Sequence, residues 1–205
     1  MKAVPADPIE LFLKWAAGAR RPDILEPDAA TLATVGADGL PTARVVLVRR
    51  ADHGGFVFYT NLESKKGQDL LLSGAKGAPV ALCYYWPCFY WPPLTRQVRV
   101  EGIATRVSES DADAYWATRH RGSQVSAWAS KQSAVLAGGR AELTERFHAM
   151  DKKLPPKAVP RPAYWSGFSV APQRIEFWQG RRNRLHDRIL YVREGTRWVS
   201  YILSP

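Results

Sequence analysis

The chain has 205 residues, 46% hydrophobic and 23% charged, an ordinary globular composition long enough to bury a core without disulfide staples. It contains no apolar run of about 18 residues, which excludes a membrane-spanning helix, and Met1 to Pro8 lacks the apolar stretch of a signal peptide, which predicts a cytoplasmic protein. Lys and Arg number 29 against 19 Asp and Glu, a net charge of +10, but the cations are scattered rather than blocked, which suits pockets for small phosphorylated ligands better than a disordered nucleic-acid arm.

Apolar residues Ile9, Phe12, Leu13, Trp15 and Ala16 recur near helical spacing and predict a helix over 8–19, capped by Asp7 with Pro8 in the first position. A strand at 30–35 leads into Gly36-Ala37-Asp38-Gly39, a hairpin turn. A Val-rich strand covers 43–50. Gly54-Gly55 breaks it, and 56–60 forms the next strand. A short helix is expected over 63–73, starting near Asn61 or Ser64. Longer strands follow at 79–86 and 95–107. Helices are expected at 109–119, 123–130 and 141–152. Pro155, Pro156, Pro160 and Pro162 make an extended linker. Strands return at 167–170, 174–179, 188–192 and 197–203.

Strands, then helices, then strands predict an α+β protein, mainly β, with an antiparallel barrel and peripheral helices. One domain spans 1–205. Its parts are an N-terminal helical segment (1–20), a helical insertion (108–153) and C-terminal strands (165–205). No P-loop or GxGxxG fingerprint is present. Cys83-Tyr84-Tyr85-Trp86-Pro87 is followed by a near copy, Cys88-Phe89-Tyr90-Trp91-Pro92, read as an insertion in a strand connection, peripheral to the chemistry. The spacing of Cys83 and Cys88 fits no zinc pattern, and both are expected to be reduced packing residues, with no metal.

Four segments carry chemistry. Arg44-Val45-Val46-Leu47-Val48-Arg49 is a strand with Arg at both ends. Tyr59-Thr60-Asn61-Leu62-Glu63-Ser64-Lys65-Lys66 runs from a strand into a helix start, where a hydroxyl, N–H groups and two Lys make a phosphate seat. Ser130-Lys131-Gln132-Ser133 follows a helix. Glu176-Phe177-Trp178-Gln179-Gly180 precedes Arg184-Leu185-His186-Asp187-Arg188.

Together these segments resemble the pyridoxine/pyridoxamine 5′-phosphate oxidase family of flavin enzymes. Pro5-Ala6-Asp7-Pro8, Phe58-Tyr59-Thr60-Asn61, Arg96-Gln97-Val98-Arg99-Val100 and Ala127-Trp128-Ala129-Ser130-Lys131-Gln132-Ser133 also fit, so the likeness covers nearly the whole chain. It implies a split β-barrel homodimer with FMN sites at the subunit interface. The flavin contacts it implies are Arg44, Val45, Val46, Leu47, Val48, Arg49, Tyr59, Thr60, Lys65, Lys66, Gln97, Gln132, Ser133, Trp178 and Arg188, some of them from the partner. The substrate contacts are Arg49, Tyr115, Arg119, Ser123, Arg184, Leu185 and His186, with Arg184 and His186 at the reacting ring.

The implied reaction moves hydride from the substrate C4′ to the flavin N5, after which O2 takes the electrons and yields H2O2. Pyridoxine and pyridoxamine phosphates would become pyridoxal 5′-phosphate, in vitamin B6 synthesis and salvage. The residue spacing agrees. Tyr115 and Arg119 are four apart, so a helix would present both to one phosphate, and Ser123 adds a hydroxyl. Arg184 and His186 are two apart, so an extended segment would put them on one face. The chain departs from the family pattern in having Arg49 for Lys, Lys65 for Arg and few residues before Pro5 to cover the site. The alternatives are a related split-barrel flavoprotein, a phenazine-pathway-like oxidase or a flavin reductase, which should lack the combination of Arg119, Ser123, Arg184 and His186. A nucleic-acid binder is disfavoured, because the basic residues coincide with the phosphate sites.

Overall fold

The computed structural model describes residues 5–88 and 94–205. Helix α1 (Pro8–Ala19) begins as its sequence requires: the Asp7 side chain accepts the Ile9 N–H at 2.7 Å, and Pro8 occupies a position that needs no donor. Its buried side is Ile9, Leu11, Phe12 and Ala19, whereas Leu13 faces solvent at 44% exposure, so the expected apolar stripe is rotated by part of a turn. Phe12 is the anchor. Its ring lies 4.9 Å from Phe56 edge-on and 5.0 Å from Tyr84, so one aromatic cluster ties α1 to two strands.

Strands β1 (Ala29–Val35), β2 (Pro41–Asp52), β3 (Gly55–Asn61), β4 (Ala78–Cys88), β5 (Leu94–Arg106) and β6 (Trp165–Gln179) are ordered β3-β2-β1-β4-β5-β6, and β3 pairs β6 to close a barrel. Closure joins the two ends of the six-strand sheet. Strands β7 (Asp187–Glu194) and β8 (Arg197–Ile202) extend the sheet from β6. Strand β6 changes neighbour along its length: residues 165–170 pair β3 and residues 174–179 pair β7. That exchange opens the barrel on one side and carries the C-terminal strands outward. Leu32, Leu82, Val98, Val100, Phe58, Phe168 and Ile175 fill the interior.

Two strands were expected at 167–170 and 174–179, and one continuous strand is found. Pro172 does not end it. The β5 register slips between Glu101 and Gly102, so Gln173 is an extra residue in a bulge, where a residue without an N–H is tolerated. The Gly36–Gly39 turn forms as expected, with Gly39 at φ +75° and the Gly39 N–H donating to the Gly36 carbonyl. Helix α2 (Lys65–Leu71) is capped by Ser64, whose hydroxyl accepts the Gly67 N–H. Gly67 is required there, because a Cβ would collide with the carbonyl oxygens of Asn61 and Leu62.

Helices α3 (Glu109–Thr118), α4 (Arg121–Ala129) and α5 (Gly139–Lys153) follow β5. The proline-rich linker is held by indole N–H groups: Trp116 donates to the Val159 carbonyl at 2.7 Å and Trp128 to that of Pro160 at 2.9 Å. Among the described residues no helix is long and apolar enough to cross a membrane. The aromatic copy at 88–92 lies largely outside the described residues, although Tyr84 and Trp86 of the first copy are core residues.

His53, on the β2–β3 hairpin, sets Nε2 2.7 Å from the second oxygen of Asp7, so one carboxylate joins the α1 cap to the sheet. The hydrogen bond to Asp7 raises the His53 pKa. Burial alone would raise that of Asp7, but His53 and the Ile9 N–H outweigh it and leave it low. The histidine contribution is therefore complete below its ordinary value near 6.5 and is lost as pH rises through the raised value. The Asp7 contribution is complete above about 3.8 and is lost as pH falls through the lowered value. The melting-temperature gap between wild type and His53→Ala should be wider near pH 5.5 than near pH 8.5. Equal gaps in thermal melts would contradict the linkage.

Candidate active site

Along β2 the pleat buries Val46 and Val48 and turns Val45 and Arg49 outward. Pairing with β3 slips between Val48 and Arg50. Arg49 is the extra residue of that bulge, a device that re-aims a side chain. Arg49 lines a cavity of about 730 Å³ together with Val45, Val46 and Leu47. Tyr59, Thr60 and Asn61 of β3, Lys66 of α2, and Gln132 complete one side. Tyr115, Arg119, Ser123 and Trp165 form another part of the lining. Val48 is turned into the core.

The cation arrangement is uneven. Asp69, buried, accepts from Lys65 Nζ at 2.7 Å and from the Thr34 hydroxyl at 2.7 Å, with Arg44 at 3.9 Å. Burial alone would raise the Asp69 pKa, but the Lys65 and Thr34 hydrogen bonds outweigh it and keep it ionised. Arg44 also donates to the Thr34 and Thr42 hydroxyls. Lys66 is different. It is 8% exposed, and its ammonium donates to the hydroxyls of Thr60 (3.2 Å) and Ser64 (3.3 Å). No carboxylate among the described residues pairs with it. Burial first, and then the Arg44 charge, lower its pKa. Two cations thus share one carboxylate, and the third is buried at a cavity wall without one, the environment an anionic ligand requires.

Ser133 sits beside this wall. Its backbone is left-handed at φ +71°, a conformation that costs a non-glycine residue on the order of 1 kcal/mol. In this conformation its hydroxyl oxygen accepts the Lys65 N–H at 3.3 Å. Lys65, Gln132 and Ser133 line an adjoining cavity of about 420 Å³.

Arg119 is not helical, as the four-residue spacing implied. It is the extended C-cap of α3 at φ −72°, ψ +142°, yet it reaches the same cavity as Tyr115. Its Nε is buried without a hydrogen-bond partner among the described residues, and NH2 donates to the Ser123 carbonyl at 3.1 Å. Burial first, and the nearby Arg49 charge, lower its pKa.

The remaining predicted residues form a second group that does not line either cavity. Gln97, Trp178 and Arg188 are cross-strand neighbours on β5, β6 and β7. Arg188 Nε donates to buried Glu176 at 2.9 Å. The His186 ring lies 4.6 Å from Trp178. Arg184 and His186 do not share the face of an extended segment. A tight turn carries them: Asn183 and Arg184 are left-handed at φ +57° and +60°, and the His186 N–H donates to the Arg184 carbonyl across Leu185. The division of the set also differs from the expected one at 44–97 against 132–188. Gln132 and Ser133 lie with the early barrel, and Gln97 lies with the C-terminal strands. Asp69 and Trp165 were not anticipated. The Lys65–Asp69 spacing of four was the available signal for Asp69, whereas nothing local marked Trp165.

Residues 18–178 match the family model for pyridoxamine 5′-phosphate oxidase, and residues 165–205 match that for the pyridoxine 5′-phosphate oxidase C-terminal dimerisation region. The pyridoxine/pyridoxamine 5′-phosphate oxidase of Myxococcus xanthus is 48% identical over 98% of this chain and 93% of its own. That of Rubrobacter xylanophilus is 49% identical over 97% and 87%. Among solved structures, PhzG from Burkholderia lata in complex with tetrahydrophenazine-1-carboxylic acid is 31% identical with a TM-score of 0.86, covering 98% of this chain and 94% of that one. A split cavity with surplus cations, a C-terminal dimerisation region and relatives nearly half identical along the whole chain agree: this chain belongs to the pyridoxine/pyridoxamine 5′-phosphate oxidase family.

Proposed function

We propose that the chain is an FMN-dependent oxidase that converts pyridoxine 5′-phosphate and O2 to pyridoxal 5′-phosphate and H2O2. With pyridoxamine 5′-phosphate, water is also consumed and ammonia released. One observation carries the reading. A single cavity is lined by two buried or half-buried cations, Lys66 and Arg119, and neither has a carboxylate partner among the described residues. Two phosphates, one of cofactor and one of substrate, satisfy them. The relatives at 48–49% identity bear the oxidase name, whereas the phenazine-binding structure is 31% identical.

The residues fit FMN: Lys66, Tyr59 and Thr60 line one cavity, Lys65 and Ser133 line the adjoining one, Gln132 lines both, and Arg44 stands behind them beside Asp69, so the anion seat lies where the two cavities meet. FMN bound there supplies the redox chemistry, accepting two electrons from the substrate and returning them to O2. Arg119, Tyr115 and Ser123 hold the substrate phosphate. Arg49 adds positive charge at the same cavity. The C-terminal region supports a homodimer, and the second group completes the cavity of the other chain. Arg184 and His186 of the partner subunit then hold the pyridine ring, and Gln97, Trp178 and Arg188 reach the flavin. A cytoplasmic setting suits free Cys83.

Aerobic turnover of both substrates, followed by aldehyde and peroxide, tests the reading together with FMN content. A colourless protein that takes up no FMN overturns it. Bound FMN without turnover of either B6 phosphate transfers the chain to the phenazine-like reading. Arg49→Lys provides a finer test. Arg extends a planar fork where Lys would be a compact charge. The exchange should lower KM about threefold and change kcat less. Steady-state kinetics decides it, and an unchanged KM makes the two cations equivalent.

A further inference from the structure

We propose that Trp165 is a positioning residue for substrate: its indole face sets Arg119 and Tyr115 in the orientation that receives the substrate phosphate. The proposal rests on the reading that Arg119 and Tyr115 hold that phosphate. Trp165 opens β6, lines the cavity and is 3% exposed. Its ring is parallel within 5° to both Tyr59, at 5.4 Å, and Tyr115, at 6.1 Å. Tyr59 and Tyr115 stack at 3.9 Å. The Arg119 guanidinium carbon lies 4.7 Å from the Trp165 ring and 5.3 Å from that of Trp116. Trp116 meets Trp165 edge-on at 4.8 Å.

The physical point is what holds Arg119. A carboxylate would orient the guanidinium but neutralise it. An indole face orients it and leaves its charge and in-plane donors for a ligand. Arg119 follows the second pattern, with a buried Nε that has no partner among the described residues. The indole is itself fixed. The Trp165 carbonyl accepts Arg161 NH1 at 2.6 Å, and the same Arg161 pairs with Glu109 and Asp113 of α3. The helix that carries Tyr115 is thereby tied to the strand that carries Trp165.

The test compares holoenzymes of wild type, Trp165→Phe and Trp165→Leu. Phenylalanine keeps a weaker π face and leucine removes it. KM for pyridoxine 5′-phosphate should rise about threefold in the first and about tenfold in the second, with kcat within threefold. Binding of pyridoxal 5′-phosphate, read from the perturbed flavin absorbance, should weaken in the same order. In an Arg119→Ala background most of the Trp165 effect should be lost, leaving only the part that acts through Tyr115. A flat KM and unchanged product affinity overturn the proposal, and so does an effect that persists fully without Arg119. If Trp165→Leu does not fold, the Phe variant and its cycle decide by the same criteria. Wild-type enzyme that turns over neither B6 phosphate refutes the functional reading instead.

Discussion

Lys66→Met should raise the Kd for FMN by about 30- to 1000-fold while leaving the apoprotein at least as stable as wild type. The two effects have one cause. A buried ammonium bonded only to the Thr60 and Ser64 hydroxyls retains much of its desolvation cost, so removing it relieves the apoprotein by up to about 1 kcal/mol. The same ammonium gains a charge-assisted bond when a phosphate arrives, and methionine cannot replace it. The pH dependence gives an independent check. Burial and Arg44 hold the folded pKa of Lys66 below its ordinary 10.5. The unfolded chain therefore binds the proton more readily, and wild-type apoprotein should gain stability, relative to the variant, as pH rises toward 10.5. FMN titration and urea melts measure both. A Kd within threefold of wild type would remove Lys66 from the anion seat.

Arg184→Ala should lower kcat/KM by about ten- to a hundredfold with FMN fully retained. Arg184 occupies a left-handed conformation at φ +60°, directly after Asn183 at φ +57°. Asparagine is tolerated there; arginine is not favoured and gives up on the order of 1 kcal/mol. Within its own chain the side chain is exposed and lines neither cavity. Under the proposed function, that strain serves a role across the dimer. Arg184→Gly sharpens the test, because it relieves the backbone while deleting the charge: its melting temperature should equal or exceed that of Arg184→Ala, with the same catalytic loss. Flavin lost in parallel with activity would mean that the residue belongs to the cofactor site.

Features decided within a few residues were legible before any fold was known. Asp7-Pro8 marks the α1 start, Gly36 to Gly39 marks a hairpin, and Ser64 lies one residue ahead of α2, because caps and turns are local hydrogen-bonding and φ/ψ problems. The Val-rich strand between Arg44 and Arg49 and the Trp178-to-Arg188 signature were likewise readable, and together with the other motif segments they pointed to the family. What stayed hidden depended on distant pairings. Pro172 suggested a break in β6, but the bulge opposite Glu101 and Gly102 absorbs it. Leu13 and Leu11 exchanged places because the aromatic cluster around Phe12 sets the rotation of α1.

Most of the element order and the family were readable from the residues alone, as were the candidate site residues Arg49, Tyr59, Lys66, Tyr115 and Arg119 that line one cavity, because these follow from local propensity and residue chemistry. How the candidate site residues divide between the two groups was set by pairings distant in the chain. Closure of β3 on β6 brings Tyr59 beside Trp165, more than a hundred positions apart in the chain. The row formed by β5, β6 and β7 carries Gln97 away from Lys66 and toward Arg188. Whether a cation is paired, buried or left for a ligand is settled by such long-range contacts, since burial and partner distance are properties of the folded surface and not of neighbouring residues.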